Sequence, residues 1–575
     1  MKKSKRLSGL PDCEFFAGRL SRKISKTLEG LSRKDLNGKF WNKDPALWSS
    51  NPEVQEKIRE RLGWQTLFDF MAGQKRGISA FVSKIVRDGF KDLVVIGMGG
   101  SSLCPEFLAR TFGGPGAPVR VRILDTTDPA AILRLEKTLD LTKTLFLLAS
   151  KSGSTLEMVS LYRYFDKRLR QTGITERGSR FAAITDEGSS LSVLARKEKF
   201  YGLFLNPSDI GGRFSALSNF GMVPGGLAGL DIGKFLDRGS KMADRCRVSK
   251  LEENPGFFLG AVLGSLCRAG ADKATFFFPP EISGLGGWLE QLLAESSGKE
   301  ETGIVPIDGE PWGDPESYGN DRLFVFWQIR NGKKSGIEKK IRILKEAKKP
   351  VILIRLNDLY DLAGEFFRWE VATAIAGMVQ GINPFDEPNV SESKENSRKI
   401  LLEFEEKGRL PVPPEAFREK DISLLAGPIT SGCGSMKEAL KNFFRKASSG
   451  KYSALLAYLD PSAENIAGMT RLRKVIRDRY GVATTAGFGP RFLHSTGQLH
   501  KGGKPSGLFI QVTADDPVDF PVPGTSYTFG TLKNAQALGD AGSLSGRGLP
   551  FLQFHFHSSP EDGWKTLTGV VKSIK

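Results

Sequence analysis

Leu93-Val94-Val95-Ile96-Gly97-Met98-Gly99-Gly100-Ser101-Ser102-Leu103 sets a short apolar run directly before a glycine cluster and the start of a helix-length segment. A strand that reads as an unbroken apolar run is buried on both faces, as in a parallel sheet covered by helices. Working outward, Val119 to Leu124, Thr144 to Ala149 and Arg180 to Ile184 repeat the run, with helix-length segments closed by Gly, Ser or Thr between them. The alternation restarts at Thr275-Phe276-Phe277-Phe278, continues through Leu323 to Trp327 and Val351 to Leu356, and resumes after Lys394 with Ala454 to Leu459, Gly507 to Thr513 and Phe551 to Phe556. Ahead of it, Val54 to Phe70 and Ile78 to Arg87 carry apolar residues at helical spacing. The pattern predicts an α/β protein: a helical lead-in over 1–89, a doubly wound parallel-sheet domain over 90–270, and a second over 271–575 with an extended C-terminal part. Leu410-Pro411-Val412-Pro413-Pro414 reads as a linker or surface crossing within the second.

The composition fits this reading. With 575 residues, 40% hydrophobic and 26% charged, the chain has the length for at least two ordinary cores. The net charge of +18, from 83 Lys and Arg against 65 Asp and Glu, suits an anionic ligand. Part of the excess sits in short runs, Lys2-Lys3-Ser4-Lys5-Arg6 and Lys339-Lys340-Ile341-Arg342, which read as solvated surface rather than a nucleic-acid patch. Cys13, Cys104, Cys246, Cys267 and Cys433 are scattered, with no C-x-x-C pair and no neighbouring histidine, so neither a disulfide framework nor a metal site is expected. With no secretory leader and no run of about 18 apolar residues, the expected location is the cytoplasm, away from the membrane.

Two segments carry the chemistry. Gly97-Met98-Gly99-Gly100-Ser101-Ser102 lies at a strand-to-helix turn, where glycines let backbone approach a ligand and the helix N-terminus favours an anion. A dinucleotide fingerprint would require a third glycine where Ser102 stands. Ala149-Ser150-Lys151-Ser152-Gly153-Ser154-Thr155-Leu156-Glu157 is more specific, with four hydroxyls at the carboxyl end of a parallel strand. Simple helix capping explains one hydroxyl and not four. Hydrogen bonds to a charged group are worth ~1.5–3 kcal/mol each, so such a cup could hold a phosphate ester.

Taken together, these segments resemble the sugar-isomerase (SIS-type) fold, and further motifs narrow the resemblance to the phosphoglucose isomerase family. Asp209-Ile210-Gly211-Gly212-Arg213-Phe214-Ser215 is similar to its Gly-Gly-Arg signature, and Gln291-Leu292-Leu293-Ala294-Glu295-Ser296-Ser297-Gly298-Lys299 to its Glu-Ser-x-Gly-Lys signature. Asn383-Pro384-Phe385-Asp386-Glu387-Pro388-Asn389-Val390 through Lys394 resembles its Asn-Pro-Phe-Asp-Gln-Pro-Gly-Val stretch and closing Lys. The resemblance implies cofactor-free interconversion of glucose 6-phosphate and fructose 6-phosphate in a homodimer that acts on small sugar phosphates. Moving a proton between C1 and C2 through an enediolate requires a carboxylate base and a cation beside the developing charge. Glu295 is the candidate base and Arg213 the candidate cation, with Gln291 one helical turn before Glu295. Gly100, Ser101, Ser150, Lys151, Ser152 and Thr155 are the implied substrate and phosphate contacts.

The chain also departs from the family. Glu387 replaces the usual Gln and is retained as a further contact, and Asn389 replaces Gly. Where many members carry a Gly-x-His segment for ring opening, Tyr318-Gly319-Asn320-Asp321 has no histidine. Of the four histidines, His555 and His557 alternate with phenylalanines on one strand face. His494 and His500 share a Gly/Ser/Thr-rich loop, and His500 opens His500-Lys501-Gly502-Gly503-Lys504-Pro505, so His500 is preferred for ring opening, with Asp321 the runner-up and Lys394 its partner by family position. Arg491 to Gly503 and Tyr527-Thr528-Phe529-Gly530 resemble the isomerase region of fused transaldolase–phosphoglucose isomerase proteins. The segment before the first strand is too short for a barrel of roughly 250 residues, so transaldolase activity is not expected. Two other readings compete. A non-catalytic sugar-phosphate regulator would keep the cup without Glu295, and an amidotransferase lobe would need an N-terminal glutaminase domain.

Overall fold

The computed structural model describes residues 10–32, 35–330, 332 and 336–574. The basic run at Lys2 to Arg6 lies outside them. The chain forms two compact units, one of Met1–Asp125, Leu139–Ser297 and Leu323–Asp386, the other of Thr126–Thr138, Gly298–Arg322 and Glu387–Lys575.

The lead-in is helical from Ser21–Ser32 through Pro52–Arg59 to Leu67–Arg87, but it opens on a strand that sequence periodicity does not reveal, β1 (Cys13–Phe16). The expected strands of the first domain then form in order: β2 (Asp92–Gly97), β3 (Arg120–Leu124), β4 (Thr144–Ala149), β5 (Phe181–Asp186) and, at the edge, β6 (Gly202–Asn206). They lie in the order β3-β2-β4-β5-β6, and every neighbouring pair is parallel. Every residue of β2 and β4 is buried, whereas β3 and β6 are only partly covered, as edge strands are. The chain winds one way from β2 to β3 and the other way from β4 onward, which places a topological switch point between β2 and β4.

A second sheet in the same unit runs β1-β10-β9-β7, from β7 (Lys273–Phe277), β9 (Arg322–Ile329) and β10 (Val351–Leu356), while the short strand β8 (Val305–Ile307) falls among residues of the second unit. Strand β1 joins antiparallel to β10, with Cys13 opposite Ile354. The preceding Asp12 is fixed by Arg245, at 2.8 Å, and by the buried Arg368, whose guanidinium charges hold its carboxyl well below the usual range.

Residues 271–575 were expected to form one domain, but their strands lie in two sheets. The later ones, β11 (Glu415–Glu419), β12 (Ile422–Leu425), β13 (Tyr452–Tyr458), β14 (Ala483–Phe488), β15 (Gly507–Ala514) and β16 (Phe551–Phe556), form a separate sheet in the order β11-β12-β16-β15-β13-β14. Four of these strands are parallel, and the hairpin β11–β12 adds antiparallel to β16. This sheet has a core of its own, including Leu455, Ile510, Phe554 and Trp564. Among the described residues no helix is long and apolar enough to cross a membrane.

Candidate active site

The switch point of the first sheet gathers both motif segments, since the turn Gly99–Ser101 follows β2 and the hydroxyl-rich loop follows β4. Helices Leu103–Phe112 and Leu156–Gln171 start there, and neither has a side-chain cap. The N-termini of both helices thus lie at the crevice, where the positive end of the helix dipole favours an anion. Thr155, at the capping position, turns its hydroxyl to Ser150 Oγ instead, at 2.9 Å, while the Gly153 N–H donates to Ser150 at 3.1 Å. Ser152 and Ser154 pair at 3.0 Å. Gly153 is required by the bend: its φ is +72°, and a Cβ there would lie 2.4 Å from the Leu191 nitrogen.

Lys151, expected as a phosphate contact, is otherwise engaged. Its ammonium donates to Asp186 and to the Ser208 carbonyl, both at 2.5 Å. Two of its three donors thus fasten the loop to the end of β5 and to the turn after β6. Burial raises the Asp186 carboxyl against the pull of Lys151.

Arg213 reaches the site through a backbone contact. A Cβ on Gly100 would stand 2.0 Å from the Gly212 carbonyl, so only glycine lets the turn after β2 rest on the turn Gly212–Phe214. The helix Leu285–Ser297 packs on both turns. Arg213, 3% exposed, donates to Ser296 Oγ at 2.7 Å and to the Pro384 and Asp386 carbonyls at 3.0 and 2.9 Å. Its remaining nitrogen pairs with Glu295 Oε1 at 3.5 Å, while Gln291 donates to Glu295 Oε2 at 3.0 Å. A carboxylate with one oxygen against a cation and the other against an amide, on a buried helix face, is oriented as a proton carrier must be. Ser296 and Asp186 are the polar partners that sequence reasoning missed. Ser296 stood inside the Glu-Ser-x-Gly-Lys motif, whereas nothing local marks Asp186, which meets Lys151 only through strand order.

The first unit therefore brings together Gly100, Ser101, Arg213, Gln291 and Glu295 about adjoining turns and one helix, with Ser150, Lys151, Ser152 and Thr155 at the neighbouring strand end. Asp321, Glu387, Lys394 and His500 belong to the second unit. Asp321 is buried, Glu387 is half-buried, and Lys394 is exposed on the helix Val390–Lys407. His500, preferred for ring opening, does not sit in the exposed loop on which that preference rested. It lies in the short helix Gly497–Gly502 rather than a loop, 5% exposed, with Tyr452, Phe492 and Phe509 around it and neither ring nitrogen hydrogen-bonded. Burial, with the charge of Lys501 next to it, lowers its pKa to about 3. It is a neutral core residue with no proton to deliver to a ring oxygen from its charged form.

A parallel sheet with a hydroxyl-rich loop at its switch point, beside an arginine–glutamate pair, is an α/β architecture of the sugar-isomerase fold type. Residues 70–310 match the model of the phosphoglucose isomerase family. Glucose-6-phosphate isomerase of Nostoc sp. is 30% identical over 274 residues, 46% of this chain and 49% of the relative. Probable glucose-6-phosphate isomerase of Methanococcus maripaludis is 26% identical over 414 residues, 66% and 87% respectively. The chain thus spans about half the length of the Nostoc relative. The crystal structure of a glucose-6-phosphate isomerase from Chlamydia trachomatis shares the fold, with a TM-score of 0.53 at 18% identity over 70% of this chain and 93% of that one.

Proposed function

We propose that the first-unit site interconverts glucose 6-phosphate and fructose 6-phosphate. The observation that carries this reading is Glu295, held between Arg213 and Gln291. The uncapped helix ends and the Ser150–Thr155 hydroxyls take the phosphate. Glu295 removes the proton from one carbon and returns it to its neighbour, and Arg213 stabilises the charge that develops on the enediolate oxygens. The proton leaves C2 and arrives at C1, or the reverse, so the reaction is redox-neutral within one molecule and calls for no electron acceptor. Ring opening calls in addition for one group that takes the anomeric hydroxyl proton and one that returns a proton to the ring oxygen. The names of the relatives support the substrate, and the family resemblance supports a homodimer in the cytoplasm. A non-catalytic regulator of the same fold would have no use for a carboxylate clamped in this way.

A coupled assay on the full chain, without added metal, tests the reading. Conversion of fructose 6-phosphate to glucose 6-phosphate is expected. Sugar-phosphate binding with no turnover would replace it by the regulator, and absence of both would remove the site.

A further inference from the structure

The edge of the third sheet holds a cluster of metal-ligating groups that isomerisation does not use. In Phe554-His555-Phe556-His557 the phenylalanines are fully buried in the core, so period-two alternation sends both histidines to the opposite face. There they meet Asp515, which follows β15. His555 Nε2 lies 3.1 Å from Asp515 Oδ1, and His557 Nδ1 lies 3.8 Å from Asp515 Oδ2. One ligand atom from each of the three residues falls within 4.8 Å of the others.

The hydrogen bond on the far side of the His557 ring fixes its tautomer. Ser423 has a single hydroxyl proton, and its contact with the Glu415 carboxylate, which only accepts, uses it. The bond of 2.6 Å between Ser423 Oγ and His557 Nε2 therefore has the imidazole as donor, and Nδ1 carries the lone pair. His555 Nε2 lies at hydrogen-bond distance from Asp515 Oδ1, 3.1 Å, so without an ion the ring donates there and accepts from the Thr513 hydroxyl at Nδ1, at 2.9 Å; an ion would take the place of the Nε2 proton. The His557 lone pair, the Asp515 carboxylate and, once its proton is displaced, His555 Nε2 converge on one point. Each ring is also oriented by a hydroxyl behind it, as metal-ligating histidines are.

We infer that His555 Nε2, His557 Nδ1 and the Asp515 carboxylate form a binding site for one divalent transition-metal ion of the zinc, cobalt or nickel type. Ligand atoms ~2.0–2.1 Å from a tetrahedral ion lie about 3.3–3.4 Å apart, so the observed separations require the groups to close by an ångström or so. Two nitrogens and one carboxylate oxygen suit such ions rather than calcium or magnesium. The ion clips the loop after β15 to the end of β16, and through Ser423 and Glu415 it braces the β11–β12 hairpin. It departs from the sequence expectation of no metal, which rested on the scattered cysteines. It is a structural ion, remote in role from proton transfer.

Titration of the chelator-stripped full chain with Co(II), followed by visible absorption and competed with Zn(II), tests this. One equivalent with ligand-field bands and no thiolate charge-transfer band is expected, together with a rise in Tm on adding Zn(II). Asp515→Asn, at an exposed position, and His557→Ala should each weaken binding at least 100-fold and abolish the Tm rise. Ser423→Ala, which frees the His557 tautomer, should weaken it about 10–100-fold. No stoichiometric binding by the native chain, a thiolate band, or an affinity unchanged in Asp515→Asn and His557→Ala would overturn the site.

Discussion

Ser150 and Ser152 sit two residues apart in one loop and hold different positions in it. Ser150 accepts the Gly153 N–H and pairs with Thr155, so it builds the bend, whereas the hydroxyl of the exposed Ser152 bonds to its neighbour Ser154. Removing the Ser152 hydroxyl deletes a donor to phosphate without disturbing the loop. Ser152→Ala should raise KM for fructose 6-phosphate roughly tenfold or more, the equivalent of one charge-assisted hydrogen bond of ~1.5–3 kcal/mol, with Tm unchanged. Ser150→Ala should raise KM and lower Tm together. Steady-state kinetics beside a thermal melt separates the two, and an unchanged KM in Ser152→Ala places the phosphate elsewhere. At this scale the sequence was informative where a motif fixes geometry, as for Gln291 and Glu295 one helical turn apart. It misled at His500, because a Gly-rich segment reads as an exposed loop while the aromatic residues that enclose the ring, Tyr452, Phe492 and Phe509, are set in place only by the folded sheet.

The parallel strands were legible because burial on both faces leaves no room for polar residues, and β2 and β4 appear almost as read. The missed elements are those whose burial is partial and whose length is short. Strand β1 has four residues in a buried–intermediate alternation, and β11 is largely exposed. The hairpin turn uses Lys420 at φ 55° rather than a glycine that would have announced it. The separate third sheet was invisible for a different reason, since strand order depends on long-range pairing that local patterns do not encode. One contact between elements makes a sharp prediction. Gly100→Ala would drive a methyl group to 2.0 Å from the Gly212 carbonyl and push apart the turns that place Arg213. Overpacking of this kind costs about 1–3 kcal/mol. Chemical denaturation should show that loss together with a drop in kcat, while Ala at Gly114, where nothing lies within 4 Å, should change neither.

Across the molecule, buried ionisable groups couple stability to pH in opposing directions. Burial raises Glu365 to about 7, so the folded state binds a proton more tightly there, and this carboxyl favours folding as the pH falls below 7. His500 acts the other way. Its folded pKa of about 3 lies below the ordinary 6.5, so in that window the unfolded chain binds the extra proton and stability is lost as pH falls from 6.5 toward 3. The difference between native protein and His500→Phe isolates the histidine. Its contribution should decline by about 1.4 kcal/mol per pH unit well below 6, read from urea melts at several pH values. A flat difference would mean that His500 is accessible to protons in the fold, and would reopen its role in ring opening.

The central claim is that one clamped carboxylate moves the proton, and turnover of Glu295→Gln measured beside its affinity for a phosphorylated sugar acid tests it most directly. The amide keeps the shape and its contacts with Arg213 and Gln291 but cannot carry a proton. The account predicts a fall in kcat of ~10²–10⁴-fold or more with inhibitor binding within a few-fold of native. Native turnover in Glu295→Gln would contradict it.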